Sequence, residues 1–250
     1  MEETLMKDIF WTVVLVAVFT ISFALTSSAL DRKEAVAFWD FEDVKGDVVP
    51  DITGNGHEGA IKGNVDVTDG KYGQGLKFDG KVGSVVIVEN HKALQITEDI
   101  TMEGWVFPTS PNQGYVVGKQ GSYGMPLWNN LEVKWVIWGG DWFTGIQPKV
   151  DEWNHIALVY DFKAKTRLIY LNGKEEGDQK TTMTMPVSPH PLTLGQWVTL
   201  TGQERLIGII DDIGIWNRPL SADELNKSME PSPVEPKDKL ATMWSMLKKR

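Results

Sequence analysis

Between residues 37 and 216 the chain repeats one local pattern: a short run of alternating apolar and polar side chains, closed by Gly, Asn or Asp. Runs of this kind stand at residues 37–42, 75–80, 84–88, 100–107, 115–119, 131–138, 155–160, 167–171, 192–194 and 206–216. Side chains on a strand point alternately to two faces, so a period of two predicts half-buried strands. Asp79-Gly80, Gly139-Gly140 and Asn172-Gly173 separate the runs. Asn-Gly between two alternating runs is a strong hairpin signal. Many short strands at regular spacing, with no long helical period among them, predict an all-β sandwich or barrel.

The last run, Leu206-Ile-Gly-Ile-Ile-Asp-Asp-Ile-Gly-Ile-Trp216, is apolar except for two adjacent acids. Strict alternation groups Asp211 with Ile209, Ile213 and Ile215 on an apolar face. A buried carboxylate without a partner costs several kcal/mol. The run holds no Lys or Arg, so a partner must come from elsewhere, and a hard cation shared with acids near the start of the domain is the candidate.

Composition narrows the function. The formal charge is -9, and there is no cysteine. An acidic chain is a poor nucleic-acid binder, which needs a basic stripe. Without cysteine there are no disulfides, thiolate metal sites or cysteine nucleophiles. Residues 9–25 carry no charge and precede Ser27-Ser28-Ala29. This predicts a signal peptide within residues 1–29, or a membrane anchor if it is not removed, and hence a secreted or cell-envelope location. At the other end, Ser221 and Glu224 have capping-box spacing. Pro231, Pro233 and Pro236 mark a linker. Leu240, Met243, Trp244 and Leu247 fall on one face of a short helix, giving an appendage over residues 227–250.

Seven pieces stand in a telling order: Phe38-Trp-Asp-Phe-Glu-Asp43, Asp51-Ile-Thr-Gly-Asn-Gly-His57, Gly75-Leu-Lys-Phe-Asp-Gly80, Ile100-Thr-Met-Glu-Gly-Trp-Val106, Trp153-Asn-His-Ile-Ala-Leu-Val-Tyr160, Ile169-Tyr-Leu-Asn-Gly173 and the closing run through Leu225. Together they resemble the laminin-G-like jelly roll of the concanavalin A-like lectin/glucanase superfamily. The resemblance implies a two-sheet antiparallel sandwich over about residues 33–226, with its first and last strands side by side. It also implies that Glu42 and Asp211 converge, and that a calcium ion joins them to Asp51 and Asn55. The alternative is that Asp51 caps its own turn and Asp211 bonds backbone N–H groups.

Catalytic signals are weak. No H-E-x-x-H or G-x-S-x-G spacing occurs. A glycosidase needs two carboxylates flanking the sugar, whereas Glu103 and Glu132 stand singly on their runs and read as solvated or rim residues. Trp105 and Trp153 read as core rings. Residues 123–143 are rich in aromatics: Trp135 shares a face with Leu131, Val133 and Ile137, whereas Trp138 shares one with Glu132 and Lys134. Trp142 reads as a loop residue. Trp142, Trp138, Trp128 and Tyr123 are therefore the candidate ligand-binding residues. The competing reading is that these rings fill the core or cover a sheet edge. The expected function is a non-catalytic binding module for glycan or another extracellular surface ligand. The alternatives are a polysaccharide-active enzyme of the same superfamily and a protein-binding adhesion protein.

Overall fold

A computed structural model describes residues 30–197 and 204–231. In chain order its strands are β1 (Ala37–Trp39), β2 (Val48–Val49), β3 (Gly59–Lys62), β4 (Val65–Asp69), β5 (Gln74–Asp79), β6 (Val85–Val88), β7 (Ile100–Pro108) and β8 (Gly114–Lys119). Then follow β9 (Tyr123–Trp128), β10 (Glu132–Ile137), β11 (Trp142–Phe143), β12 (Asn154–Asp161), β13 (Thr166–Leu171), β14 (Lys174–Lys180), β15 (Leu192–Leu194) and β16 (Ile207–Trp216), before one helix, α1 (Ala222–Ser228). Sheet one runs β14-β13-β12-β7-β16-β5-β4, with β1 also paired to β16. Sheet two runs β11-β10-β9-β8-β15-β6-β3-β2. The pairings are antiparallel, and β1 lies against β16 with Ala37 opposite Ile215 and Trp39 opposite Ile213. The sandwich, and the adjacency of its first and last strands that the resemblance implies, are both observed.

The inward side chains of both sheets form one core that includes Trp39, Phe78, Met102, Trp135, Ile156 and Leu194. Burying each such side chain contributes about 1.5–3 kcal/mol. A second cluster lies on the outer face of sheet one, where Phe38, Tyr170 and Trp216 meet Leu220 and Leu225. Helix α1 packs on this cluster through Leu225. Its start is fixed as the spacing predicts: the Ser221 hydroxyl accepts from the Glu224 N–H, and the Glu224 carboxylate accepts from the Ser221 N–H.

Two expectations change here. Glu103 is not at a rim: it is fully buried on that outer face and accepts a 2.8 Å hydrogen bond from Trp216 Nε1. Trp105, opposite His155 in the β7–β12 ladder, lies on the same outer face rather than in the sandwich core. Strict alternation also fails on β16. The register with β7 shifts between Asp211 and Gly214, and Asp212 has φ of 50°. This bulge changes which side chains face inward, so the core receives Ile210, Ile213 and Ile215, and neither acid enters the sandwich. A β-bulge puts two residues opposite one and re-aims the side chains around it.

The cation that meets the acid pair is Arg32. Its Nη1 and Nη2 donate to Asp212 Oδ1 and Oδ2, each at 2.9 Å, and Nη2 also donates to the carbonyls of Ser228 and Glu230. One guanidinium thus ties the start of the domain to β16 and to the end of α1. Asp211 is held differently, by the N–H groups of Tyr72 and Asp212 at 3.0 and 2.8 Å. Burial, and next the charge of Asp212, push the Asp211 carboxyl up to about 8, from an ordinary value of about 3.9. The folded chain therefore holds this proton more tightly than the unfolded chain. Its contribution to stability is full below about pH 4 and is lost as pH rises toward 8. The melting temperature of the native chain relative to Asp211→Asn is expected to fall as pH rises through that window. A difference that grows with pH contradicts the assignment.

The uncharged run at residues 9–25 and the amphipathic stretch at residues 240–247 lie outside the described residues. Among the described residues no helix is long and apolar enough to cross a membrane.

Candidate ligand-binding face

Sheet two differs from sheet one in what covers its outer side. Among the described residues no helix packs there, and aromatic rings stand on it. On β10 the alternation puts Val133, Trp135 and Ile137 in the core and turns Glu132 and Lys134 outward, with Trp138 just beyond the strand. Trp138 is 52% exposed, whereas Trp135 is fully buried.

The rings form two groups. At one end of β10, Lys134 Nζ lies 4.7 Å from the Trp128 ring centroid and 5.0 Å from that of Phe143. The amine is fixed by Asp141 at 2.7 Å. Cation–π contacts of this kind are worth about 0.5–1 kcal/mol at exposed sites. Here they hold two half-open rings in place. Glu132, beside them, accepts from the Gly145 N–H at 2.8 Å.

At the other end, Trp138 lies parallel to Trp197, with centroids 6.4 Å apart and planes 10° apart, and Trp197 packs on Tyr115 at 4.4 Å. Two glycines make this possible. A Cβ at Gly118 would come within 2.8 Å of the Tyr115 ring, and one at Gly124 within 2.9 Å. The bare backbone of β8 and β9 is the floor on which Tyr115 lies. Gln196 anchors the segment that carries Trp197: its Oε1 accepts from the Gly83 N–H and its carbonyl from Thr193 Oγ1. Burial, with the charges of Glu204 and Asp141, raises the Tyr115 phenol well above its usual range, so the ring stays neutral.

The four residues expected to bind ligand divide between the two sides of the sheet. Trp128 and Trp138 are on the outer face. Tyr123 is not: it is fully buried and donates its hydroxyl hydrogen to the Leu94 carbonyl at 2.8 Å. Trp142 is not in a loop but on β11, opposite Trp135, which turns it inward. It packs against the core, with the Arg167 guanidinium 5.5 Å from its ring. The outward residue of that strand is the next one, Phe143, which is 52% exposed. Trp197 and Tyr115 were missed, because only the sheet order brings β15 and β8 beside β9.

The four residues expected to share calcium also fall into two places. Asp51 Oδ1 accepts from the N–H groups of Phe38 and Thr53 and from Thr53 Oγ1, and Oδ2 accepts from the His57 backbone and lies 3.2 Å from its Nδ1. The Asn55 amide donates to the carbonyls of Ala35 and Val36. Glu42 and Asp211 do approach each other, but by gripping one turn, between β4 and β5: Glu42 accepts from Gln74 N–H and Asp211 from Tyr72 N–H. Calcium takes about six to eight oxygens around one point. This set does not fit it, because the lone pairs of Asp51 already face donors of its own loop and of β1. Among the described residues no group of three or more His, Asp or Glu side chains is placed to hold a metal.

Comparisons place this sandwich among known folds. A family model described as the concanavalin A-like lectin/glucanases superfamily matches residues 79–226. No curated protein sequence matches the chain. Domain 4 of an extracellular arabinanase from Geobacillus stearothermophilus, solved with arabinotriose, is similar at TM-score 0.63 and 18% identity, over 79% of this chain and 98% of that one. The binding domain of Paraclostridial Mosquitocidal Protein 1 is similar at TM-score 0.62 and 18% identity, over 78% of this chain and 52% of that one. The binding domain of botulinum neurotoxin serotype G is similar at TM-score 0.61 and 16% identity, over 77% of this chain and 50% of that one. The chain spans about half the length of these two toxin domains. At such identities the likeness is one of fold.

Proposed function

The chain belongs to the concanavalin A-like lectin/glucanases superfamily, and we propose that it is a non-catalytic binding module that holds a glycan on the outer face of sheet two. The observation that carries this reading is the contrast between the two outer faces. On sheet one α1 packs on the outer cluster through Leu225, whereas sheet two presents Trp128, Phe143, Trp138 and Trp197 with no helix over them among the described residues. Flat apolar rings suit the apolar faces of sugar rings, and each indole can add one N–H donor. Acids near the rings are already engaged, Glu132 with a backbone N–H and Asp141 with Lys134. That supports binding rather than hydrolysis. The arabinanase domain solved with arabinotriose adds support by analogy. Export, drawn from residues 9–25, belongs to this proposal, since an extracellular glycan is the natural ligand of such a face.

A glycan array probed with the whole chain tests the reading. The native chain is expected to bind, and Trp138→Ala to weaken binding by about tenfold or more, equivalent to about 1.4 kcal/mol. Because Trp138 is half exposed, its melting temperature is expected to stay within a few degrees of native. A chain that binds no glycan but captures a protein partner through the same face replaces this reading with the adhesion one.

A further inference from the structure

We propose that a cleft beyond the Trp128 end of sheet two is a terminal subsite, which takes the chain end of a neutral glycan. This rests on the reading of the ring face as a glycan surface. The cleft encloses about 650 Å³ and is lined by Pro111, Asn112, Gln113, Asn129, Asn130 and Arg205, among others. That volume is within the usual range for small-molecule sites.

Its lining is rich in carboxamides. Some carboxamides of this chain hold loops: Asn154 bonds the backbone of Lys149 and Glu152, and Asn172 accepts from the His155 N–H. The carboxamides of Asn112, Gln113, Asn129 and Asn130 make no hydrogen bond within the described residues. Four such groups therefore face one cleft with donors and acceptors available. Their placement is fixed by a strained turn. Asn130 and Leu131 are consecutive left-handed residues, with φ of 57° and 65°. Asn tolerates this conformation, but for Leu it costs about 1 kcal/mol or more. Strain of this kind persists where the surroundings impose it and is frequent at ligand sites.

The chemistry selects the ligand class. A carboxamide offers two N–H donors and a carbonyl acceptor, and a hydroxyl is both donor and acceptor. Four carboxamides thus complement several hydroxyls of one sugar. Among the described lining residues the one charged side chain, Arg205, already has an interaction partner, so the uncharged carboxamides set the ligand, and the formal charge of -9 disfavours an anionic one. The subsite is therefore for a neutral sugar.

The cleft and the rings are continuous. Trp128 immediately precedes Asn129, and the pairing of Gly114 with Leu127 puts Gln113 beside Trp128. Trp138 is at the far end of the same strands, its N–H donating to the Ser122 carbonyl. Five residue steps of β9 separate the two ends, roughly 16 Å at the strand rise. A short oligosaccharide held by its end in the cleft meets Trp128 and Phe143. Only a longer one reaches Trp138 and Trp197.

Calorimetric titration tests this with a length series of the neutral glycan that the array selects, from the monosaccharide upward. The whole chain is compared with Asn112→Ala/Asn129→Ala and with Trp138→Ala. Both asparagines are exposed, so the double variant is expected to melt like the native chain. It is expected to lose about tenfold affinity at every length, whereas Trp138→Ala loses affinity only for the longer members. A double variant that binds every length like the native chain, while Trp128→Ala weakens binding, overturns the cleft and leaves the ring face standing. A native chain that binds no neutral glycan overturns both.

Discussion

Arg32→Ala is expected to lower the melting temperature by roughly 10 °C, the largest effect of any change of one charged residue in this fold. The guanidinium is only 8% exposed and makes a two-pronged ion pair with Asp212, itself 5% exposed. Removing one partner of a buried pair costs about 3–5 kcal/mol, mostly because the other charge is left stranded. Two backbone carbonyls, of Ser228 and Glu230, lose their donor at the same time. Neutralising the stranded acid offsets part of the loss, so Arg32→Ala/Asp212→Asn is expected to be more stable than Arg32→Ala alone. Thermal melts of the two variants and of Asp212→Asn give the coupling between the pair. A melt of Arg32→Ala within two degrees or so of native contradicts the role of Arg32 as the clamp.

Trp135→Ala is expected to lower stability by a similar amount, about 3–5 kcal/mol, because it empties a large volume in the core between the sheets. Its ring is fully buried in the main cluster. The indole N–H has no hydrogen-bond partner, so Trp135→Phe removes an unsatisfied donor along with part of the volume. It is expected to cost distinctly less than the alanine. Trp138, three residues on and half exposed, gives the opposite profile: little loss of stability and a large loss of ligand. Thermal melts and glycan binding measured on the same three variants separate the two roles. Equal destabilisation by Trp135→Ala and Trp138→Ala contradicts the assignment of the two faces.

That contrast marks what was legible in the sequence. A period of two sorted Trp135 from Trp138 because β10 runs without interruption. The same rule failed at Asp211, where a bulge inserts an extra residue and moves the inward set to Ile210, Ile213 and Ile215. Two adjacent acids in an apolar strand were the visible trace of it. They called for a cation, and a side-chain cation answers them from Arg32, about 180 residues earlier, where no local pattern pointed. Trp142 was misplaced for a related reason. Gly139-Gly140 reads as an end of structure, yet the chain returns as the two-residue strand β11, and its pairing decides which ring faces out. β14, Lys-Glu-Glu-Gly-Asp-Gln-Lys, has no apolar side chain to reveal it. As the edge of sheet one it needs none, and charge protects such an edge from further pairing. The ring face itself gathers Trp128 from β9, Phe143 from β11, Tyr115 from β8 and Trp197 from beyond β15. Only the order of strands in sheet two makes those neighbours.

The most direct measurement of where ligand binds is an NMR titration of the ¹⁵N-labelled tryptophan indoles with the glycan that the array selects. The indole signals of Trp128, Trp138 and Trp197 are expected to shift together with saturation, while those of Trp39, Trp135 and Trp216, buried elsewhere, stay in place. Saturable shifts confined to Trp105 and Trp153, with the three outer-face signals unmoved, would put the ligand on the other side of the sandwich and contradict the account.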